Sequence, residues 1–494
     1  MNDVTAVRRE GQAAIAERLD PTQYPECGGP MLSRESVVYE VSSRVQAVAW
    51  GGLGLVRQLV KRLGVAKSVD ERVCVFRRHF PYHESDHVLN LVYNLISGGS
   101  TLEDLETRRR DLAYLDALGA RRIPDPTTAG DFLRRFDEEQ VHALLEANLE
   151  IGRRAWKWKR GKGEAVIDVD GTIAEVGGNC REGADLAYNG QWGYGPLLIT
   201  LANSSEVLWA QNRSASRPSH EGAPAALSRC AEACLARGFD SVLFRGDTAF
   251  TSAASLDAWD QKGYRFVFGM MAHEKARRLA NALEDSDFKP LKRPDRVPNG
   301  LRARPRNQRQ LVITAKAYRH FELEQEHVAE IEYRPSKCRQ SYRLVILRKT
   351  IKVVQGQQLL EPQIRFFFYL SNLSPATHCA SAIVAESNQR CDQENLIEQL
   401  KNQIQTMRMP TKSFLANWAY LVIGCLAWNL KAWLALCVPK TLRRWVARCD
   451  FRTFYRDVIL VPAQVLRSGR RTILRLLGSR ETIPWLLEAH RAIA

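Results

Sequence analysis

No Cys-x2-Cys pair occurs in this sequence, although it carries 11 cysteines among 494 residues. They are scattered and odd in number, and Cys230 and Cys234 lie four apart on a candidate amphipathic helix. This excludes a zinc ribbon or a disulfide framework and fits reduced thiols in a cytoplasmic protein. The first ten residues, Met-Asn-Asp-Val-Thr-Ala-Val-Arg-Arg-Glu, lack the apolar core that a secretion signal needs. Internal repeats and extended low-complexity tracts are also missing. Only one apolar run, Trp418 to Val438, is long enough to span a bilayer. Asn429 and Lys431 interrupt it, and Arg443 and Arg444 follow, so it reads as a helix buried inside a large domain. Acidic residues are in deficit: 55 Asp and Glu face 71 Lys and Arg, a formal charge of +16. Such an excess favours a polyanionic partner, because each neutralised phosphate releases condensed counterions. Charge alone also allows a merely basic soluble protein.

What is present divides the chain into two to four domains' worth of core. Residues 1–44 form an N-terminal segment. Residues 45–160 read as a helical DNA-binding domain, with Leu53, Leu55, Val56, Leu59, Val60 and Leu63 at helical spacing. Pro124-Asp125-Pro126-Thr127-Thr128 looks like a turn into a helix, with Thr127 or Thr128 as N-cap. Basic clusters recur here, including Arg108-Arg109-Arg110, and suit either a solvated helix face or DNA ends. Strand-like runs follow a Lys/Arg-rich joint, first antiparallel in character and then alternating with helices, over 161–270. Residues 271–385 read as a β-rich insertion. It has an Arg-rich loop over 289–309 and strand candidates at Leu311–Tyr318, His327–Tyr333, Tyr342–Leu347, Ile351–Val354 and Ile364–Leu370. Helices return over 386–440, and 441–494 is a basic tail, expected to be helical, that includes Arg443 and Arg444. The fold class expected is α/β.

Three acidic residues carry the chemistry. Asp170 sits in Val-Ile-Asp-Val-Asp-Gly-Thr and Asp247 in Phe-Arg-Gly-Asp-Thr-Ala-Phe, each at the end of an apolar strand. Glu394 lies on a helix with Arg390 and Lys401 at i−4 and i+7, on one face. Alone, that face is also what an ordinary salt-bridged helix shows. Three carboxylates delivered together can hold two Mg²⁺ over a phosphodiester, since hard oxygen ligands suit that ion. Asp168 reads as a carboxylate behind such a site or as a structural acceptor, and Asn395 as a partner of backbone or phosphate.

On these motifs the chain resembles the DDE transposases of bacterial insertion sequences. It is most similar to the insertion-sequence-1380 family within the insertion-sequence-4 superfamily. The matching residues are Asp170 in Asp-x-Thr, Asp247 in Arg-Gly-Asp-x-x-Phe, and Arg390, Glu394 and Lys401 in Tyr-x2-Arg-x3-Glu-x6-Lys. Ser387 stands at the tyrosine position of that last signature. The resemblance spans about residues 45 to 440. It implies an RNase H-like core interrupted by the β-rich insertion and catalysis by Asp170, Asp247 and Glu394 with Mg²⁺, for which Mn²⁺ substitutes. It further implies terminal inverted repeats and target DNA as partners, a homodimer in the synaptic complex, and a nucleoid-associated location.

Two rival readings use the same residues. Val-Ile-Asp-Val-Asp-Gly-Thr also looks like the first motif of haloacid dehalogenase-type phosphatases, with Asp168 as nucleophile and Asp170 as general acid/base. The second acidic pair of that type is broken, because Thr251 stands where an Asp is required after Gly246-Asp247. The other rival is a catalytically inactive DNA-binding relic. Trp192 and Tyr194 suit core packing or stacking on a displaced base. His79, His83 and His87 fall at i, i+4, i+8. Pro81 breaks that helix, so they read as solvated or capping residues and not as a zinc site.

Overall fold

The strand Glu164–Gly171 (β2) organises the molecule. Ala165, Ile167 and Val169 alternate along it and are fully buried, while Asp168 and Asp170 share the opposite face. The structure is a computed structural model. It describes residues 45–494 apart from 79–80, 160–162, 179, 292–318, 356–357, 470, 479–480 and 494, together with residues 9, 12–13, 15–16, 39 and 41. Of the sequence features above, His79, the Arg-rich loop beyond residue 291 and the strand candidate Leu311–Tyr318 lie outside the described residues.

The chain divides into two compact units. One comprises Ser43–Met271, Glu332–Leu344 and Tyr369–Ala494. Its sheet has β2 at the centre, with β6 (Leu197–Leu201) and β7 (Glu206–Gln211) on one side and β8 (Ser241–Gly246) and β9 (Arg265–Met270) on the other. β2, β6 and β7 are mutually antiparallel, whereas β8 runs parallel to β2 and β9 parallel to β8. Numbered along the chain, this strand order is 3-2-1-4-5, the RNase H-like arrangement. A small antiparallel sheet of β3 (Ala174–Glu175), β5 (Trp192–Tyr194) and β4 (Asp185–Leu186) follows β2.

Between Leu53 and Ala155 seven helices precede the sheet: α1 (Leu53–Leu63), α2 (Val65–Asp70), α3 (Glu84–Ile96), α4 (Asp104–Arg110), α5 (Leu112–Leu118), α6 (Pro126–Leu133) and α7 (Glu138–Ala155). α6 is capped by Asp125, whose carboxylate accepts from the Thr128 amide, with Pro126 at the first position. This corrects the expectation of a Thr127 or Thr128 cap: both already lie within the first turn. α8 (Ala223–Ala236) and α9 (Ala253–Gln261) complete the strand–helix alternation.

Among the described residues, the later helices include α10 (Glu274–Asn281, in the other unit), α11 (Ala380–Asn388), α12 (Cys391–Asn402), α13 (Phe414–Cys437), α14 (Lys440–Arg448) and α15 (Thr482–Ile493). α13 is long and apolar enough to cross a membrane, yet its apolar window is 94% buried inside the protein. Polar pins fix it along the edge strand β7. Asn429 exchanges hydrogen bonds with both the amide and the carbonyl of Val207, and the Trp418 indole donates to the Ala210 carbonyl. α3 and α7 pack on α13, so the first helices and the sheet share one core.

The basic tail is not wholly helical, which corrects the expectation. Ala463–Ser468 (β14) and Arg471–Leu476 (β15) form a hairpin, and β14 pairs antiparallel with β1 (Gln46–Val48) through Gln46↔Val465.

The second unit comprises Met1–Ser42, Ala272–Ile331 and Val345–Phe368. It holds α10, β10 (Lys289–Pro290) and most of β11 (Arg319–Tyr333), β12 (Tyr342–Gln355) and β13 (Gln358–Ser371). β12 is one strand where the sequence suggested two. Arg348 and Lys349, which read as a break, are held by Asp285 and Glu326, with nitrogen–oxygen distances of 2.5 and 3.2 Å.

Candidate active site

Asp170 and Asp247 become neighbours through strand register. β2 and β8 are parallel with Val169 opposite Gly246, so the next residue on each strand, Asp170 and Asp247, emerges at the same sheet end. Gly246 is required there: a Cβ would approach Phe268 to 2.8 Å and Val169 to 3.0 Å. Asp247 then opens a short 3-10 turn, its carboxylate accepting from the Ala249 amide at 2.8 Å.

Glu394 reaches the same end because its helix is tied to β2. The Arg390 guanidinium donates to the Val169 carbonyl at 3.1 Å, and the Gln393 amide donates to the carbonyls of Asp168 (3.0 Å) and Leu198 (3.3 Å). Arg390 sits in the turn between α11 and α12, and Glu394 and Lys401 follow on α12. Burial pushes the Asp170 carboxyl up to about 6, opposed by Arg390, with Asp247 and Glu394 raising it further. Arg390 lies 3.9 Å from the Asp170 carboxylate. Burial lowers the Lys401 ammonium, and Asp170 counters that shift. All four partners therefore act on one half-buried carboxylate. A cleft of about 380 Å³ opens over it, with Asp170, Asp247, Lys401, Arg213 and Tyr188 in its wall.

Arg213 and Tyr188 were not apparent from the sequence. Arg213 is buried, donates to the carbonyls of Gly195, Pro218, Ser219 and Glu221, and is lowered by burial to about 10. Tyr188 is 92% exposed on the β4–β5 turn. Arg245 and Gln393 were missed too. A charged Arg inside the apolar run before Gly246-Asp247 was the available signal for the first.

The structure sorts the remaining sequence readings, correcting those for Asp168 as nucleophile, Arg108 and His87. Asp168 is 1% exposed and fully engaged by Arg245, so it is not free to act as a phosphatase nucleophile. Arg108 is buried, donating to Asn94 (2.9 Å) and the Ser97 carbonyl (3.0 Å) beneath the Trp50 ring, and has no face for DNA. Arg109 and Arg110 are exposed and share Glu106. Arg443 closes the end of α13 by donating to the carbonyls of Ala435, Leu436 and Val438, whereas Arg444 is exposed. Asn395 is exposed and accepts from Gln399 at 3.4 Å. Tyr194 is a core residue whose hydroxyl donates to the Glu182 carbonyl, and Trp192 is half-buried. His83 stands at the N-cap of α3, but His87 is neither solvated nor a cap: it is buried and stacked on Phe132 at 4.5 Å.

The donor chemistry of Asp170, Asp247 and Glu394, all carboxylate oxygens, fits a hard divalent cation. Their present spacing does not complete a ligand set. Among the described residues no group of three or more His, Cys, Asp or Glu is arranged to hold a metal ion.

No curated protein matches the chain. Among solved structures, the cryo-EM structure of a piggyBac transposase synaptic complex with hairpin DNA is similar at 12% identity and a TM-score of 0.35, covering 83% of this chain and 86% of that one. The family model for Transposase DDE domain group 1 matches residues 33–494. With a match of that extent, the chain belongs to the DDE transposase family.

Proposed function

We propose that this transposase binds the terminal inverted repeats of a bacterial insertion sequence of the 1380 type, cleaves DNA at their ends and transfers the freed strand to target DNA. The observation that carries the reading is geometric: parallel register brings Asp170 and Asp247 out at one sheet end, and Arg390 and Gln393 tie the start of α12, which carries Glu394, to β2.

Asp170, Asp247 and Glu394 would hold Mg²⁺, or Mn²⁺ in its place, and the ions supply Lewis-acid stabilisation of charge on the phosphate oxygens. Arg390 and Lys401 set two cations beside these acids, where a phosphodiester needs its charge offset. In the first step a water oxygen bonds to phosphorus while the 3′-oxygen leaves and takes up a proton. In the second, that 3′-hydroxyl attacks a target phosphodiester and displaces its 3′-oxygen. Arg109, Arg110 and Arg444 are exposed cations suited to phosphate contacts along the DNA. We assign the active species as a homodimer in the cytoplasm, on the nucleoid.

Glu394→Gln provides the test. With duplexes carrying the repeats that flank the coding region, cleavage should fall on the order of 10²–10³-fold or more while DNA affinity is retained. A Gln variant that cuts at the parent rate would remove Glu394 from the reaction. A parent that binds these ends but never cuts them would point to the inactive relic.

A further inference from the structure

Beside the acids lies a buried ion pair that the proposed chemistry does not use. Arg245 is 2% exposed and grips Asp168 with both arms of its guanidinium, Nε to Oδ1 at 2.7 Å and Nη2 to Oδ2 at 2.8 Å. Its third nitrogen, Nη1, donates to the Glu386 carboxylate (3.2 Å), the Glu386 carbonyl (3.3 Å) and the Gln389 side chain (3.3 Å). The register explains what these contacts join. Asp168 and Arg245 are opposite one another on β2 and β8, and two residues further on stand Asp170, on β2, and Asp247, just past the end of β8. Glu386 is in the last turn of α11 and Gln389 in the turn that leads into α12, five residues before Glu394. One guanidinium thus ties together the three segments that carry the three acids.

An apolar pair of similar volume would hold two strands together without the cost of desolvating charge. It would not fix their angle and offset, which a planar, bidentate guanidinium–carboxylate fork does. We propose that Arg245 is a positioning residue, with Asp168 and Glu386 as its anchors, setting the mutual spacing of Asp170, Asp247 and Glu394. The inference rests on these acids being the cleavage centre.

The test uses the full chain with four readouts: Mn²⁺ affinity by electron paramagnetic resonance without DNA, single-turnover cleavage at saturating terminal-repeat duplex, DNA affinity, and melting temperature. Glu386 is only half-buried, so Glu386→Ala removes one anchor without stranding the buried pair. Mn²⁺ affinity and cleavage rate should each fall about tenfold to a hundredfold, with DNA affinity and melting temperature close to the parent's. Glu386→Gln, which keeps an oxygen for Arg245, should recover most of both losses. Arg245→Lys, retaining charge but not the fork, should behave like Glu386→Ala or worse. Parent-like Mn²⁺ binding and cleavage in both Glu386→Ala and Arg245→Lys overturn the proposal. So does a loss that tracks melting temperature and DNA affinity, since the network would then be merely structural. A parent that fails to cut overturns the cleavage reading and this inference with it.

Discussion

At the scale of single residues, environment decides what a charge does. Asp168 and Asp170 share one face of one strand, yet the first is gripped by a buried arginine through both oxygens, whereas the second is raised chiefly by burial with Arg390 only 3.9 Å away. Their spacing was legible in the sequence; which of them is held by a bidentate arginine was not, because Arg245 lies seventy-seven positions away. A titration follows. The Asp170 carboxyl is raised in the folded state from 3.8 to about 6, so the folded protein binds the extra proton between those values. Its contribution favours folding below the unfolded value and is lost as pH rises through about 6. In cation-free buffer, Asp170→Asn should therefore be more stable than the parent at pH 8 by up to about 3 kcal/mol, with the gap closing towards pH 4. Thermal melts across that range check it, and a gap independent of pH would contradict it. His87 works in the opposite sense. Burial lowers it from 6.5 to about 4, so stability present above the unfolded value drains away as pH falls from 6.5 towards 4. Substituting His87→Phe, on the stack with Phe132, should flatten that acid limb in pH-dependent urea titrations.

Elements were legible where apolar periodicity is strong. The strands leading to Asp170 and Asp247 and the long helix α13 follow directly from their apolar runs. β12 was not, because Arg348 and Lys349 mimic a turn until their acidic partners are known. The attachment of α13 was also hidden. Its Trp433 indole donates to the fully buried Glu206 at 2.6 Å, where Trp156 (2.5 Å) and Arg237 (3.0 Å) meet as well. Nothing in the local sequence marks Glu206, which reads as a surface residue at a strand start. Glu206→Gln should strand the Arg237 charge inside the protein and cost about 3–5 kcal/mol, seen as a lower urea midpoint at unchanged slope. An unchanged midpoint would show that the indoles and Ser204, whose hydroxyl donates to Glu206 at 3.0 Å, hold this junction without the ion pair.

For the whole molecule, the excess of 16 positive charges was plain from composition, and so was the class of partner it suits. Which arginines face outward was not, since Arg108 and Arg443 are consumed internally while Arg109, Arg110 and Arg444 are exposed. DNA affinity should fall about 10³–10⁵-fold between 50 and 200 mM salt if six to ten phosphates are contacted. Arg444→Ala should reduce the slope of that dependence by about one charge. The pairing of β1 with β14 was beyond reach of any local pattern, because a three-residue strand near the start finds its neighbour some four hundred positions later. The Trp50 indole meets the Tyr455 hydroxyl across 405 positions, and Arg62 reaches the Ile493 carbonyl across 431. A polypeptide emerging from the ribosome must therefore leave its earliest helices partly unclothed until nearly all of the rest has been made. Nascent fragments would be sticky, prone to chaperone capture, and unable to complete the scaffold around the acids.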